Sequence, residues 1–388
     1  MGNVGVLNFD DEVNKNSVFG YFFQPDPLLG WKMRPGVCGW YKKPEFHTHI
    51  KINNFGFRGQ HLPIEKQDNH YRILVLSDSF GSGLEVNEDQ LFSNQLEVQL
   101  NTRDPSVKYQ VINLSTGGYG TEQEYLTLNL FGDHIKPDLI LLGFHYGDDI
   151  IENSISLRKK VGWRLIKLPR PYFDIDVIGN LKLVNYPPPI KEVIHSWMYY
   201  YDLMGWGLRQ HVNLPFKIKF DNRISWALRR MVEILTFQFK KRIRKSQIPI
   251  DLMTYNSQGT EEFNIAWSRT AALIGAIKDK AAEMNAAFIV FGVCTKEQLF
   301  PHLLYKRFDK YKPIKNTLDP NFPQKQLLKI LNKSGISFID LYPGFYDECN
   351  QQNNKLFYDH DIHWNERGHL KAADILANGI MSYLRAEH

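Results

Sequence analysis

The chain has 388 residues, of which 43% are hydrophobic and 23% are charged, and its formal net charge is +5. With 13% aromatic residues, this composition excludes a largely disordered chain and is typical of a globular protein. The length predicts one core domain with sizeable additions. The charge is modest and no nucleic-acid-binding motif accompanies it, so nucleic acid is not an expected partner.

The three cysteines, Cys38, Cys294 and Cys349, are far apart and none belongs to a CxxC motif. They indicate neither a disulfide framework nor a zinc site, and the sequence predicts no metal and no cofactor. The N-terminus lacks the basic and apolar regions of a signal peptide, and no run of eighteen apolar residues occurs. We therefore expect a cytoplasmic protein.

Residues 1–70 contain short apolar and aromatic stretches interrupted by Pro and Gly, such as PDPLLGW and HTHIKINNFGFRG. Interruptions of this kind break helices and are typical of small strands and turns. The sequence therefore predicts an N-terminal β-rich segment.

From Tyr71 onward, continuous apolar runs alternate with segments of helical periodicity. The runs are bounded by polar residues or Gly, as expected for strands covered on both faces, and they are YRILVLSDS, KYQVINLS, DLILLGF, AAFIVFGV and ISFIDLYPGF. We predict an α/β fold with a doubly wound, mainly parallel five-stranded sheet, formed by residues 71–154 and 261–388. Functional side chains are expected at the carboxyl ends of its strands.

Residues 155–260 interrupt this alternation and predict an aromatic, basic and mostly helical insertion. Within it, residues 223–245 place apolar side chains at helical spacing with Arg and Lys between them, which indicates a basic amphipathic helix. Two interpretations stay open. The helix is either an ordinary one packed on the core, or a lid or docking surface for an acyl chain, an anionic membrane or an acidic carrier protein.

The segment RILVLSDSFGSG ends a predicted strand in Asp78-Ser79 and continues into a helix. A helix N-terminus offers free backbone N–H groups to a developing anion, which suits a nucleophilic Ser79. A serine at such a turn is also a common helix cap, so this motif alone does not establish catalysis.

Asp361 precedes His363 by two residues in the segment YDHDIHWNERGH. An imidazole can activate a serine hydroxyl, and a carboxylate fixes the tautomer of that imidazole. The neighbouring His360, His369 and Asp359 could take the same roles. Spacing alone does not choose among them.

Four ordered segments resemble the conserved blocks of the SGNH/GDSL hydrolase superfamily, and they are SDSFGSG, NLSTGGYGTEQEYL, HYGDDIIEN and DIHWNERGH. Ser77 stands where the first block normally has Gly, and the last block has the D-x-H-W-N-x-x-G-H form of one branch. The N-terminal pattern PDPLLGW…RP…INNFGFRG also resembles the segment that precedes the core in that branch. The resemblance implies a flavodoxin-like SGNH core.

The same resemblance implies a catalytic triad of Ser79, His363 and Asp361. It also implies an oxyanion hole from the backbone N–H groups of Ser79 and Gly118. Trp364, beside His363, is expected to contact substrate or orient the triad. Glu122, after Gly118, is assigned to helix capping in preference to a role in the cleft.

Asp148 departs from the pattern, because the third block normally supplies an Asn whose amide donates to the oxyanion. An ionised Asp has no proton to donate. Three explanations are open: Asp148 is protonated; the Ser79 and Gly118 amides suffice while Asp148 binds a hydroxyl or amine of the substrate; or the site is degenerate or specialised for a reaction other than simple ester hydrolysis. The second is favoured.

The resemblance predicts a serine-dependent hydrolase of a small-molecule or carrier-bound acyl or acetyl ester, acting through an acyl-serine intermediate. One alternative is an acyltransferase that passes the acyl group to an alcohol or amine. Another is a non-catalytic binding protein with an SGNH shell, motivated by Ser77 and Asp148.

Overall fold

The computed structural model describes residues 12–13, 22–60, 65–161, 170–176, 178–187, 248–309, 317–350 and 355–387. Within these residues, no helix is long and apolar enough to cross a membrane. The basic helix predicted over residues 223–245 lies outside the described part of the chain, as does most of the predicted insertion.

The N-terminal segment is β-rich, as predicted. Its strands are β1 (Glu12–Val13), β2 (Phe23–Asp26), β3 (Gly30–Met33), β4 (Cys38–Lys43) and β5 (Phe46–Lys51). Strands β2 and β3 form one antiparallel hairpin, and β4 and β5 form another, to which β1 adds in parallel. The carboxylate of Asp26 accepts hydrogen bonds from the backbone N–H groups of Leu28 and Leu29, both at 2.9 Å, and so stabilises the first turn.

The central sheet has five parallel strands: β6 (His70–Leu76), β7 (Lys108–Asn113), β8 (Leu139–His145), β11 (Ala287–Val293) and β12 (Ser337–Asp340). Their order is β7-β6-β8-β11-β12. All seven residues of β8 are buried, because helices cover both faces of a doubly wound sheet. The predicted fold class is confirmed.

Helices connect the strands. They are α1 (Ser79–Ser82), α2 (Phe92–Arg103), α3 (Thr121–Ile135), α4 (Asp149–Glu152), α5 (Ile155–Lys160), α6 (Ile250–Met253), α7 (Glu261–Glu283), α8 (Lys296–Leu299), α9 (Pro301–Phe308), α10 (Phe322–Ser334), α11 (Tyr342–Asn350) and α12 (Glu366–Glu387). Helix α2 packs on β7 and α12, whereas α3 packs on β6 and α7. In α12 the fully buried residues Ala372, Ala373, Leu376, Ala377 and Ile380 recur at helical spacing, so this face adheres to the core.

The described parts of the insertion differ from the helical prediction in one respect. Strands β9 (Tyr172–Ile175) and β10 (Leu181–Val184) form an antiparallel hairpin. The hairpin contacts α7 through both of its strands. It therefore covers the core next to the sheet.

The strand order places a crevice between β6 and β8. In an open α/β sheet the loops leaving the carboxyl ends of the strands diverge where the strand order reverses. Here β6 connects outward to β7, and the chain then crosses back to β8 on the other side of β6. The segments after β6 and β8, which carry Ser79 and Asp148, therefore meet at this switch point.

Candidate active site

Ser79 is the first residue of helix α1 and follows the buried strand β6 after two residues. The Asp78 carboxylate accepts a hydrogen bond of 2.9 Å from the Phe80 backbone N–H and so caps the helix. Gly83 ends the helix with φ +49°, and its N–H donates to the Ser79 carbonyl at 2.8 Å. These bonds fix Ser79 at the strand-to-helix turn with its side chain partly exposed.

The structure brings the three predicted triad residues together. Ser79 Oγ lies 2.8 Å from His363 Nε2, and His363 Nδ1 lies 2.5 Å from Asp361 Oδ1. This geometry lets the imidazole accept the serine proton while the carboxylate holds the opposite nitrogen in its protonated form.

Charges around the imidazole favour its protonated form. Burial lowers the pKa of His363, but the carboxylates of Glu85 and Asp361 outweigh this effect and raise the pKa above its ordinary value. Asp361 itself stays ionised, since burial raises its pKa less than His363 and Lys43 lower it. An ionised carboxylate at this place stabilises the imidazolium that forms when Ser79 is deprotonated.

Three side chains from other elements hold the loop that carries Asp361. Lys43, at the end of β4, places Nζ 2.6 Å from Asp361 Oδ2. Glu45 accepts hydrogen bonds from two backbone N–H groups of the loop, at residues 359 and 360. Lys296, on α8, donates to the Asp361 carbonyl at 2.6 Å. The N-terminal segment therefore contacts both the Asp361 carboxylate and the loop that carries it.

The alternatives near the triad have other roles. Asp359 is exposed and pairs with Lys355 at 2.8 Å. His360 is exposed. His369 is 1% exposed, and its Nδ1 accepts a hydrogen bond from the Phe92 backbone N–H. Burial, together with the charge of Arg58, lowers the pKa of His369 to about 3, so it is a neutral core residue.

The predicted oxyanion-hole loop lies beside Ser79. A Cβ atom at Gly117 would be 3.9 Å from the Ser79 Cβ, and Gly118 has φ +78°, a conformation that favours glycine. The carbonyl of Gly117 accepts a hydrogen bond of 3.0 Å from the indole N–H of Trp31 in β3. That carbonyl belongs to the same peptide unit as the Gly118 N–H, so Trp31 helps to orient the predicted oxyanion donor.

Asp148 pairs with His145, the last residue of β8. Its Oδ1 contacts His145 Nδ1 through a short hydrogen bond, and the side chain remains 47% exposed. Burial alone would raise the pKa of Asp148, but the His145 charge lowers it below its ordinary value. The pKa of His145 rises to about 9, because Asp148 outweighs the effect of burial. A lowered pKa favours the ionised form of Asp148 and argues against the first of the three explanations above.

Trp364 does not line the cleft, and the prediction that it contacts substrate is corrected here. Its side chain is fully buried, with ring centroids 5.1 Å from Phe80 and 5.3 Å from Phe345. The ring fills the core between α1 and α11, behind His363. A residue without solvent exposure cannot touch a substrate in this conformation.

Glu122 is a charge partner rather than a helix cap. It is 1% exposed, and its Oε1 lies 3.1 Å from Nη2 of Arg170, which is also fully buried. Arg170 Nη1 contacts Glu152 at 2.5 Å and donates to the carbonyl of Gly118 at 3.2 Å. Through Arg170, this ion-pair cluster contacts the backbone of the predicted oxyanion-hole loop at Gly118.

Sequence reasoning assigned no role to seven residues that the structure places at the site: Trp31, Lys43, Glu45, Glu85, His145, Arg170 and Lys296. Only His145 carried a signal, since a histidine ending a buried strand lies at the edge where functional groups gather. Glu85 lies only six residues after Ser79 but outside the four blocks, and the remaining residues reach the site from segments distant in sequence.

No protein-family model matches the chain, and no curated protein matches it. Solved structures do resemble it. An acetyl xylan esterase, AlAXEase, is 12% identical with a TM-score of 0.40, covering 80% of this chain and 99% of that one. The esterase EstA from Pseudoalteromonas is 12% identical with a TM-score of 0.38, covering 82% and 100%.

A member of the lipolytic G-D-S-L family from Veillonella parvula is 10% identical with a TM-score of 0.36, covering 79% of this chain and 97% of that one. This is the superfamily that the four sequence blocks resemble. At such identities and TM-scores, these similarities do not establish an activity for the chain. The geometry of the site is what bears on the activity of this chain.

Proposed function

We propose that this protein is a serine-dependent ester hydrolase of the SGNH/GDSL type. The observation that carries the proposal is the continuous contact from Ser79 Oγ through both nitrogens of His363 to Asp361, at 2.8 and 2.5 Å. A core histidine or a helix-capping serine does not require this order of groups at the mouth of a crevice.

The reaction follows from the geometry. Ser79 Oγ attacks the ester carbonyl carbon while His363 Nε2 takes the hydroxyl proton. The tetrahedral intermediate collapses to acyl-Ser79, and His363 gives the proton to the departing alcohol. Water then attacks the acyl group, His363 again takes a proton, and the acid leaves as Ser79 regains its hydrogen. The backbone N–H groups of Ser79 and Gly118 are the proposed oxyanion donors.

Intact-protein mass spectrometry after treatment with a fluorophosphonate tests this proposal. We expect the wild type to gain one adduct, and Ser79→Ala and His363→Ala to gain none or to react at least about a thousandfold more slowly. If the wild type stays unlabelled at every pH while a reference serine hydrolase reacts, the protein is a binding protein that keeps the SGNH shell.

Acyl transfer remains an alternative that no described contact favours. It relies on an insertion that excludes water, and most of that insertion lies outside the described residues. Steady-state turnover of a chromogenic ester with and without an added alcohol separates the two reactions. Faster release of the chromophore with formation of a new ester would indicate transfer.

The hydrogen bond between Trp31 and the oxyanion loop leads to a prediction. Trp31→Phe keeps an aromatic ring but removes the indole N–H, so the Gly117 carbonyl loses its partner. We expect about a tenfold loss of the fluorophosphonate labelling rate, the equivalent of one hydrogen bond, with near-native secondary structure by circular dichroism. An unchanged labelling rate would show that Trp31 does not orient the Gly118 N–H.

A further inference from the structure

His363 faces two carboxylates, although the predicted triad accounts for only one. Glu85 Oε1 lies 3.4 Å from His363 Nδ1, the same atom that Asp361 Oδ1 contacts at 2.5 Å. Glu85 follows helix α1, which carries Ser79, after two residues. Nothing in the four blocks that resemble the SGNH/GDSL superfamily assigns a role to this position.

The backbone around Glu85 is held on both sides. Arg58 is 4% exposed and donates to the carbonyls of Ser82, Gly83 and Val86. The Tyr358 hydroxyl donates to the Glu85 carbonyl at 2.9 Å. The Glu85 side chain is therefore fixed against the imidazole, rather than being a surface carboxylate that swings past it.

Among the described residues, His363 is the cationic side chain in contact with the Glu85 carboxylate, while the charge of the buried Arg58 acts on it from farther away. Glu85 is 5% exposed, its Oε2 accepts no hydrogen bond, and His363 is the one cationic side chain within 4 Å of it. Burying a carboxylate without a hydrogen bond or an opposite charge destabilises a folded protein. The imidazolium that forms during catalysis supplies that missing partner.

Asp361 differs from Glu85 in its surroundings. Its second oxygen is already paired with Lys43 at 2.6 Å, which offsets much of its charge. Asp361 thus fixes the tautomer by its short hydrogen bond, whereas the charge of Glu85 is free to act on the imidazole. Consistent with this division, Glu85 is the leading cause that raises the pKa of His363 against the effect of burial.

We propose that Glu85 is a second carboxylate partner of His363, a positioning residue that stabilises the imidazolium and keeps Nδ1 protonated when Asp361 is absent. This inference rests on the proposed serine chemistry. Other ionisable groups that influence His363 or its carboxylates are Asp361, Asp78, Asp148, His369, Lys43, Lys296, Arg58, Tyr41 and Tyr358. None of these except Asp361 contacts His363 Nδ1 within 4 Å.

The first test is an NMR titration of His363 in the whole protein, with the resonance assigned by its loss in His363→Gln. In Glu85→Gln we expect the imidazole to titrate at lower pH than in the wild type, because removing a negative charge disfavours the protonated form. Glu88, three residues further on, begins the short 3-10 helix Glu88–Gln90. Glu88→Gln is the matched control and is expected to leave the titration unchanged. Equal titrations in Glu85→Gln and the wild type would overturn the inference.

The second test measures fluorophosphonate labelling in four proteins: wild type, Glu85→Gln, Asp361→Asn and the double variant. Glu85→Gln should slow labelling about threefold to tenfold in the wild-type background but about a hundredfold in the Asp361→Asn background, where Glu85 is the remaining partner. The acidic limb of the labelling rate should move to lower pH in Glu85→Gln. If Glu85→Gln slows labelling by the same factor in both backgrounds, the role of Glu85 is merely structural and the inference is overturned.

The two tests separate the inference from the proposed function. If Ser79 is never labelled, the serine chemistry fails, yet the titration still reports whether Glu85 acts on His363. If Ser79 is labelled but the titration and the double variant show no coupling, the hydrolase stands and the role of Glu85 fails.

Discussion

Asp148→Asn is expected to react about a hundredfold faster than the wild type with a fluorophosphonate and with 4-nitrophenyl acetate at neutral pH, since one oxyanion donor is worth about a hundred- to a thousandfold in rate. The lowered pKa of the wild-type carboxylate beside His145 favours its ionised form, which has no proton to donate. In the variant, we expect His145 to keep its contact with Oδ1, so that the amide nitrogen takes the place of Oδ2 on this partly exposed side chain. The measured quantity is the second-order rate of Ser79 modification.

Asp148→Ala is the matched control for this result. It removes the negative charge without supplying a donor, so it should gain much less than Asp148→Asn. Simple acetyl esters have no group for Asp148 to bind, and they isolate the effect on the oxyanion. If Asn and Ala at this position react equally fast, the amide at position 148 does not donate to the oxyanion, and the expected gain of Asp148→Asn is contradicted.

An accelerated Asp148→Asn would also indicate what the carboxylate is for. A carboxylate that slows the reaction of Ser79 with simple esters would have a function if it bound a hydroxyl or an amine of the natural substrate. The His145 and Asp148 pair lies at the end of β8, across the crevice from Ser79 on the segment after β6. A substrate bound there would be held by its alcohol half while its ester carbonyl meets Ser79.

The fold was predictable because its signals are local. The strands of the sheet are continuous apolar runs, and burial on both faces removes the alternation that marks an exposed strand. Helix α12 repeats its buried residues at helical spacing. The β9 and β10 hairpin was missed because its short strands mix apolar with charged residues and most of their positions are not buried.

Sequence could predict only those site residues that lie within the four ordered blocks. Ser79, Asp361 and His363 stand in motifs, and the structure places them in contact. Lys43 has no such signal, because its contact with Asp361 joins positions 318 residues apart. The prediction that Trp364 contacts substrate failed because it relied on the position of Trp364 in a motif. Its neighbour is a candidate catalytic residue, but its own size and apolar surface take it into the core.

Arg170→Met is expected to lower the free energy of unfolding by about 3–5 kcal/mol, the usual cost of removing one partner from a buried ion pair. Arg170 is fully buried between Glu122, at 3.1 Å, and Glu152, at 2.5 Å. Methionine replaces the aliphatic part of the side chain but leaves both carboxylates less compensated, with Arg158 as the remaining partner of Glu152. Urea denaturation of the purified variants measures the difference.

Arg269→Met is the matched control, because Arg269 pairs at 2.8 Å with Asp174, whose side chain is 58% exposed. Water screens that pair, so its loss should cost less than about 1 kcal/mol. If the two variants have the same free energy of unfolding, the ion pairs of Arg170 do not stabilise the folded protein more than the exposed pair of Arg269 does.

The pH dependence gives an independent check on the Arg170 prediction. Burial raises the pKa of Glu122, and Arg170 opposes that rise. Without the guanidinium, the folded protein should hold a proton on Glu122 to higher pH than the unfolded chain does. A group with a raised pKa in the folded state loses its stabilising contribution as pH rises through that value. The deficit of Arg170→Met should therefore grow from acidic to neutral pH, whereas a deficit caused only by lost packing would stay constant.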